Sequence, residues 1–335
     1  MKVALLGPVA WRTPPRHYGP WEQVTSSLAE GLVERGLEVT LFATLDSLTR
    51  ATLDGVCAEP YAENPSLDGR VCEALHVAHA FARSGEFDLV HNHLDWLPLA
   101  FAQHCRAPLV TTIHGFSGAG ILPAYVHADS SHFVSISDAD RAPQLTYAAT
   151  IHHGVELNAL PFCATPGEAL VSFGRIHPHK GTAAAIEIAR KAGRRLLIAG
   201  IVQDERYFRE QVEPHIDGDR VSYLGSVGPA RRAEVLGTAA ALLHPIAFPE
   251  PFGLSVVEAM ACGTPVIAFP LGSMPEVIDH GVTGFLVKDI ASATAAIEPA
   301  IALDRRRIRR VAEARFSAAR MVDDYVKLYQ RLSGG

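Results

Sequence analysis

Residues Pro249–Val266 read PEPFGLSVVEAMACGTPV, a helix-forming stretch set between two apolar runs. The apolar run ALLHP (241–245) leads into it and PVIAF (265–269) closes it, each with the length and composition of a buried strand. Between them Gly253 opens a helix from about Leu254, which stops at Cys262 with Gly263 as C-cap and Pro265 beyond. A strand, a helix and a further strand in this order make a parallel unit whose helix covers the sheet.

The same alternation runs through the chain. KVALL, LEVTLFA, FDLVH, PLVTTI and HFVSI precede it in the first half, and ALVSF, RLLIA, RVSYL, ALLHP and PVIAF follow in the second. These are too many strands for one sheet. Periodicity fails over HHGVELNALPFCATPGE (152–168), where Gly, Pro and Asn collect. The expected fold class is therefore α/β, with two doubly wound, Rossmann-like parallel-sheet domains facing across a cleft, residues 1–160 and 161–315. Ligands of such sheets sit beyond the carboxyl ends of the strands, so each domain offers a half-site.

Composition narrows the classes. The 335 residues carry 30 Lys+Arg against 36 Asp+Glu, a net charge of -6, so no overall basic field exists to gather nucleic acid or anionic membrane. Five scattered cysteines without CxxC spacing fit a reduced, cytoplasmic protein. The apolar run in MKVALLGPVA breaks at Gly7-Pro8, which predicts a first strand, and no apolar stretch has the length of a membrane span.

In the first half, Val24, Leu28 and Leu32 mark an amphipathic helix after Trp21, ended by Gly36. It follows the loop GPVAWRTPPRHYGP, where free N–H groups at the helix start make a place for phosphate. In the second half, FGRIHPHKG (173–181) joins a strand to a helix beginning near Thr182 and sets Arg175 and Lys180 beside glycines. Two cations with helix N–H groups suit a diphosphate. Pro251 keeps Glu250 outside the Leu254 helix, whereas Glu258 sits about one turn inside it, so the two carboxylates address different parts of a long ligand. Glycoside hydrolysis also uses paired carboxylates, about 5 to 9.5 Å apart, but it gives Arg175 and Lys180 no task.

Together, GRIHPHKG and EPFGLSVVE resemble the two signature stretches of the retaining GT-B glycosyltransferases of family 4, the glycosyl transferases group 1. The likeness runs from YGPWEQVTSSLAEGLVERGLEVTLFA to FSAARMVDDYVKLYQRL. It implies a metal-independent, retaining hexosyltransferase with no cofactor beyond its nucleotide-sugar donor, acting on a small or glycan acceptor. The first domain would take the acceptor, the second the donor, and a terminal helix, 316–335, would pack back on the first.

The resemblance also implies roles. Arg175 and Lys180 bind the donor diphosphate, Glu258 the ribose hydroxyls and Glu250 the donor-sugar hydroxyls. Backbone N–H groups over Phe252, Gly253, Leu254 and Ser255 hold sugar and phosphate, and the base lies near AGIVQD and YLGSV, which contains Gly225. His114, in TTIHGF, contacts the donor hydroxyl or the reacting centre. Gly19 approaches the phosphate from the other domain, although the usual Gly-Gly pair is here Gly19-Pro20, and proline lacks an N–H to donate.

A UDP-sugar such as UDP-glucose is the expected donor, with GDP-mannose next. The loops AWRTPPRHY and SGAGILPAY would read the acceptor, a small or soluble one. A nucleotide-sugar epimerase and an inactive sugar-nucleotide-binding module are the competing readings. SDAD (137–140) resembles an acidic metal motif but reads better as a helix N-cap at Ser137 or Asp138. HNH (91–93) and HPH (177–179) lack a clear third zinc ligand, and DRRRIRR (304–310) reads as a solvated helix face, so no metal and no membrane contact are expected.

Overall fold

The computed structural model describes residues 1–115 and 118–333. Phe116 and Ser117, in the TTIHGF and SGAGILPAY stretches, lie outside the described residues, as do Gly334 and Gly335 at the chain end. The chain divides into two compact units, Met1–Gly154 with Ala318–Gly335, and Val155–Ser317.

The first unit is built on a seven-stranded parallel sheet. Its strands are β1 Lys2–Leu6, β2 Glu38–Phe42, β3 Thr52–Asp54, β4 Leu89–Asn92, β5 Leu109–Ile113, β6 His132–Ser135 and β7 Tyr147–Thr150, in the order β3-β2-β1-β4-β5-β6-β7. The sheet order reverses between β1 and β4. Leu5 and Leu6 are fully buried, as strands covered by helices on both faces require. The central strands β4 and β5 are buried throughout yet carry His91, Asn92, Thr111 and Thr112, a polar band in the middle of the core.

The first helix, Pro20–Glu34, buries Val24, Leu28 and Leu32, and Gly36 follows it with φ +78°. The terminal helix, Ala318–Ser333, packs on it so closely that a Cβ on Gly31 would meet Val322 Cγ2 at 2.5 Å. Arg35 adds an ion pair with Asp323 at 2.6 Å.

The second unit has six parallel strands, β8 Leu170–Phe173, β9 Leu196–Ala199, β10 Val221–Tyr223, β11 Leu242–His244, β12 Val266–Ala268 and β13 Gly284–Leu286, in the order β10-β9-β8-β11-β12-β13. The order reverses between β8 and β11. Ile186, Ile188, Leu196, Ile198 and Leu243 form its core, each worth about 1.5–3 kcal/mol of burial. The helix Leu254–Ala261 ends before Gly263 at φ +85°, as its sequence predicts.

Two expectations are corrected here. No helix follows Ser137 and Asp138: the Ser137 hydroxyl accepts from Asp140 N at 3.1 Å within a turn, and Asp138 accepts from the Thr150 hydroxyl at 2.7 Å. DRRRIRR is only partly solvated, since Arg305 is 7% exposed and Arg309 donates to the carbonyls of Leu160 and Ala261. No described helix is long and apolar enough to cross a membrane.

Candidate active site

The loops at the two topological switch points carry Gly19 in the first unit and Arg175, Lys180 and Glu250 in the second, where ligands of open α/β sheets sit. In the second unit the loop after β8 holds Arg175 and Lys180, and the loop after β11 holds Glu250. Ile176, fully buried between the two cations, anchors the first loop and accepts from Gln203 N and Asp204 N at 3.2 Å. Arg175 donates to Gln203 Oε1 at 2.6 Å.

Gly181 must be glycine. Its φ is +71°, and a Cβ there would lie 1.9 Å from Pro245 O. That close approach seats Lys180 against the second loop. Lys180 Nζ bonds Glu250 Oε2 at 2.5 Å and sits 4.7 Å from the centre of the Phe248 ring, which His179 stacks at 5.4 Å.

Glu250 is 8% exposed. Burial alone would raise its pKa, but His244, with Nε2 at 3.4 Å, and Lys180 outweigh burial and hold the carboxylate at about 2. The Lys180 ammonium moves down from its ordinary value, because burial, with like-charged Arg175 nearby, exceeds the help from Glu250. Its protein partners therefore leave this cation undercompensated.

The helix Leu254–Ala261 begins at Gly253, φ +90°, with no side chain capping its first N–H groups. The Phe252 side chain is core, edge-on to Phe316 at 5.9 Å, which leaves only its backbone to the site. Leu254 and Ser255 are half-buried at the helix start. Glu258 pairs with Arg232 at 2.7 Å, both mostly buried, so this carboxylate is held on one side by a guanidinium. Gly225, φ +71°, follows β10, and its carbonyl accepts from Gly200 N at 2.9 Å.

In the first unit Gly19 caps the first helix at φ +151°, and Pro20 is the first helical residue, where a missing N–H disturbs no helical bond. A Cβ on Gly19 would meet Pro15 Cβ at 2.8 Å and Glu22 Oε2 at 2.9 Å. Glu22 lies buried beneath this loop and accepts from Trp11 N at 3.2 Å. Burial lifts its pKa to about 7. With the folded pKa raised, the stability it contributes is present below the ordinary carboxylate range and is lost as pH rises through 7, by about 3 kcal/mol. Glu22→Gln is therefore expected to match wild type near pH 4 and exceed it by up to that amount at pH 8. Paired calorimetric melts at the two pH values test this, and parallel melts would refute it.

His114 follows β5, and Trp21 stacks on its ring at 5.4 Å and 23°. Both ring nitrogens are engaged: Nε2 with His93 Nδ1 at 2.9 Å, Nδ1 with His153 Nε2 at 3.2 Å. Burial pushes its pKa down to about 3, so the ring is neutral. Contact with a sugar hydroxyl requires displacing a histidine, which the sequence gives no reason to expect.

Sequence reasoning missed His244, Phe248 and Arg232 in the second unit and set His91 and His93 aside as an incomplete zinc site. The available signal was the polar residues inside runs that otherwise read as core strands. Among the described residues no group of three or more His, Cys, Asp or Glu is arranged to hold a metal ion.

Two family models match the chain in succession: Glycosyltransferase Family 4 over residues 22–158, and Glycosyl transferases group 1 over residues 164–315. The chain belongs to the GT-B glycosyltransferases related to these families. It transfers a sugar from a nucleotide-sugar donor to an acceptor. It is 28% identical to the glycogen synthase of Mycobacterium tuberculosis, over 90% of this chain and 88% of the relative. Identity to the D-inositol 3-phosphate glycosyltransferase of Mycolicibacterium smegmatis is 29%, over 90% and 83%. The fold matches Anabaena Alr3699/HepE, solved in complex with UDP and glucose, with a TM-score of 0.75 and 21% identity over the whole of both chains.

Proposed function

We propose that this glycosyltransferase is a retaining, metal-independent hexosyltransferase that takes its hexose from a UDP-sugar, UDP-glucose foremost, and delivers it to a hydroxyl of a small or soluble acceptor. The observation that carries this reading is the Lys180–Glu250 pair beside Arg175 and an uncapped helix N-terminus, at the switch point of the second unit. Lys180 and Arg175 supply the positive charge that a metal brings in other transferases, and they stabilise the departing diphosphate. Glu250 accepts from donor-sugar hydroxyls and Glu258 from the ribose, while Gly225 lies near the base. His114 and Gly19 serve the sugar and phosphate from the first unit.

In the retaining step the bond from the sugar's anomeric carbon to the diphosphate breaks, and the acceptor oxygen bonds the same face. The acceptor proton goes to the leaving phosphate oxygen. Glu250 is no nucleophile in this scheme, since its charge is already committed to Lys180 and His244. The preference for UDP draws on the UDP and glucose bound to the Anabaena relative. Five free cysteines fit action in the reducing cytoplasm.

Thermal melts with UDP, GDP and ADP test the donor. A nucleotide present at a hundred times its Kd adds about 2.7 kcal/mol to the folded state. UDP is expected to give the largest rise. A larger rise with GDP replaces UDP-glucose by GDP-mannose as donor, and no rise with any nucleotide overturns the reading.

A further inference from the structure

Four buried histidines in the first unit form one hydrogen-bonded chain. His153 Nε2 meets His114 Nδ1 at 3.2 Å, His114 Nε2 meets His93 Nδ1 at 2.9 Å, and His93 Nε2 meets His91 Nδ1 at 3.2 Å. The terminal helix completes it, with the Tyr329 hydroxyl 2.6 Å from that same His91 Nδ1. His91 Nε2 bonds Thr112 Oγ1 at 2.8 Å, which bonds the Tyr325 hydroxyl at 2.7 Å. Burial disfavours the charged form of every ring in the chain, so each neutral ring carries one proton on one of two nitrogens.

The end of the chain decides which nitrogen. Among the described residues His91 Nδ1 is the partner of the Tyr329 hydroxyl, and a phenol that accepted there would leave its own O–H buried and unmade. Tyr329 therefore donates, and His91 Nδ1 is bare. The proton of His91 then sits on Nε2 and goes to Thr112. His93 Nε2 also faces His91 Nδ1, at 3.2 Å, where an opposing lone pair would repel; it therefore carries the proton of that ring and shares, as the longer and weaker donor, the single lone pair that Tyr329 takes at 2.6 Å. The same alternation passes on to His114 and His153, and all four rings take the Nε2–H form.

We propose that Tyr329 is a remote positioning residue, which through His91 and His93 fixes His114 as the Nε2–H tautomer and presents its Nδ1 as the acceptor for a donor-sugar hydroxyl. His153 Nε2 occupies that acceptor at 3.2 Å, so the sugar hydroxyl must displace it. Without the Tyr329 proton the opposite polarity becomes available, with His91 Nδ1–H donating toward His93 and His114 carrying its proton on Nδ1. His114 would then offer a donor where an acceptor is needed, and a wrong tautomer in an intact site costs turnover more than binding. The role at the sugar rests on the proposed function; the tautomers do not.

Two-bond 1H–15N spectra of the full-length, 15N-labelled protein report the protonated nitrogen of each ring. In wild type His91, His93 and His114 are expected as neutral Nε2–H forms, and a proton on Nδ1 of any of them overturns the proposal. Tyr329→Phe is expected to give Nδ1–H signals at His114 and a roughly tenfold lower kcat with donor KM within about twofold. Tyr325→Phe, whose hydroxyl lies on the Thr112 branch, leaves the His114 signals and kcat unchanged. Retention of pure Nε2–H at His114 in Tyr329→Phe, or equal losses in both variants, overturns it as well. If Tyr329→Phe fails to fold, the wild-type spectrum decides alone. That spectrum is the same whether or not any nucleotide binds, so failure of the donor reading and failure of this one are separable.

Discussion

Lys180→Ala is expected to lower kcat by about 10²- to 10³-fold, the usual effect of removing one preorganised group from developing charge. The departing diphosphate gains negative charge as its bond to the sugar breaks, and Lys180 is a buried cation that its protein partners leave undercompensated. Steady-state transfer assays with saturating donor read this loss. A variant that folds and retains kcat within threefold of wild type would remove Lys180 from the diphosphate site.

The same substitution has a structural effect that must be separated from the chemical one. Removing the ammonium strands Glu250 as a buried charge, which costs about 3–5 kcal/mol when one partner of a buried pair is lost. The double variant Lys180→Met/Glu250→Gln removes both charges and should recover most of the melting temperature while kcat stays low. The sign of the pH effect follows from the depressed carboxylate. Glu250 contributes stability that is present above the ordinary carboxylate range and is lost as pH falls toward 2. Between pH 5 and 8 it adds no slope, so a slope there belongs to other groups: Glu22, which lowers stability as pH rises, and the buried neutral histidines, which raise it up to the ordinary histidine range.

The fold was legible wherever a strand is buried on both faces. All ten apolar runs read from the sequence are strands, and the three that were missed, β3, β7 and β13, are edge strands of three or four residues. An edge strand has a partner on one side only and need not be apolar throughout: Tyr147–Thr150 is half-buried at every position. Arg175, Lys180, Glu250 and the helix start at Leu254 were legible because loop chemistry is local, with glycines and prolines marking where each helix begins.

Partners set by tertiary packing were not legible. Arg232 meets Glu258 from 26 residues away, and His114 meets His93 and His153 across 21 and 39 residues. No local period encodes such pairs. Their trace in the sequence is compositional: His91, Asn92, Thr111 and Thr112 stand in strands that a purely structural core would fill with Val, Ile or Leu. HNH attracted a metal reading because alternate strand residues share a face, but the rings bond one another and the terminal helix instead.

Arg305 shows how a charge run misleads, and its removal should cost as much stability as breaking the Lys180–Glu250 pair. It opens the helix Arg305–Phe316 and turns inward. Nε donates to Cys163 O at 2.8 Å, Nη1 to Ala239 O at 3.1 Å, and Nη2 to Gly237 O at 2.6 Å and Thr264 Oγ1 at 2.8 Å. A planar fork satisfies four acceptors that converge from three segments of the second unit, a task for which lysine has the charge but not the geometry. Arg305→Met orphans those acceptors, and a loss of about 3–5 kcal/mol is expected from breaking so buried a charged network. Arg305→Lys should recover less than half of it. Arg306→Met, whose guanidinium lies 5.5 Å over the Phe162 ring at the surface, should cost under about 1 kcal/mol. Urea unfolding of the three variants reads the differences directly. Equal midpoints for Arg305→Met and Arg306→Met would return DRRRIRR to a solvated face and leave the four bonds of Arg305 without consequence.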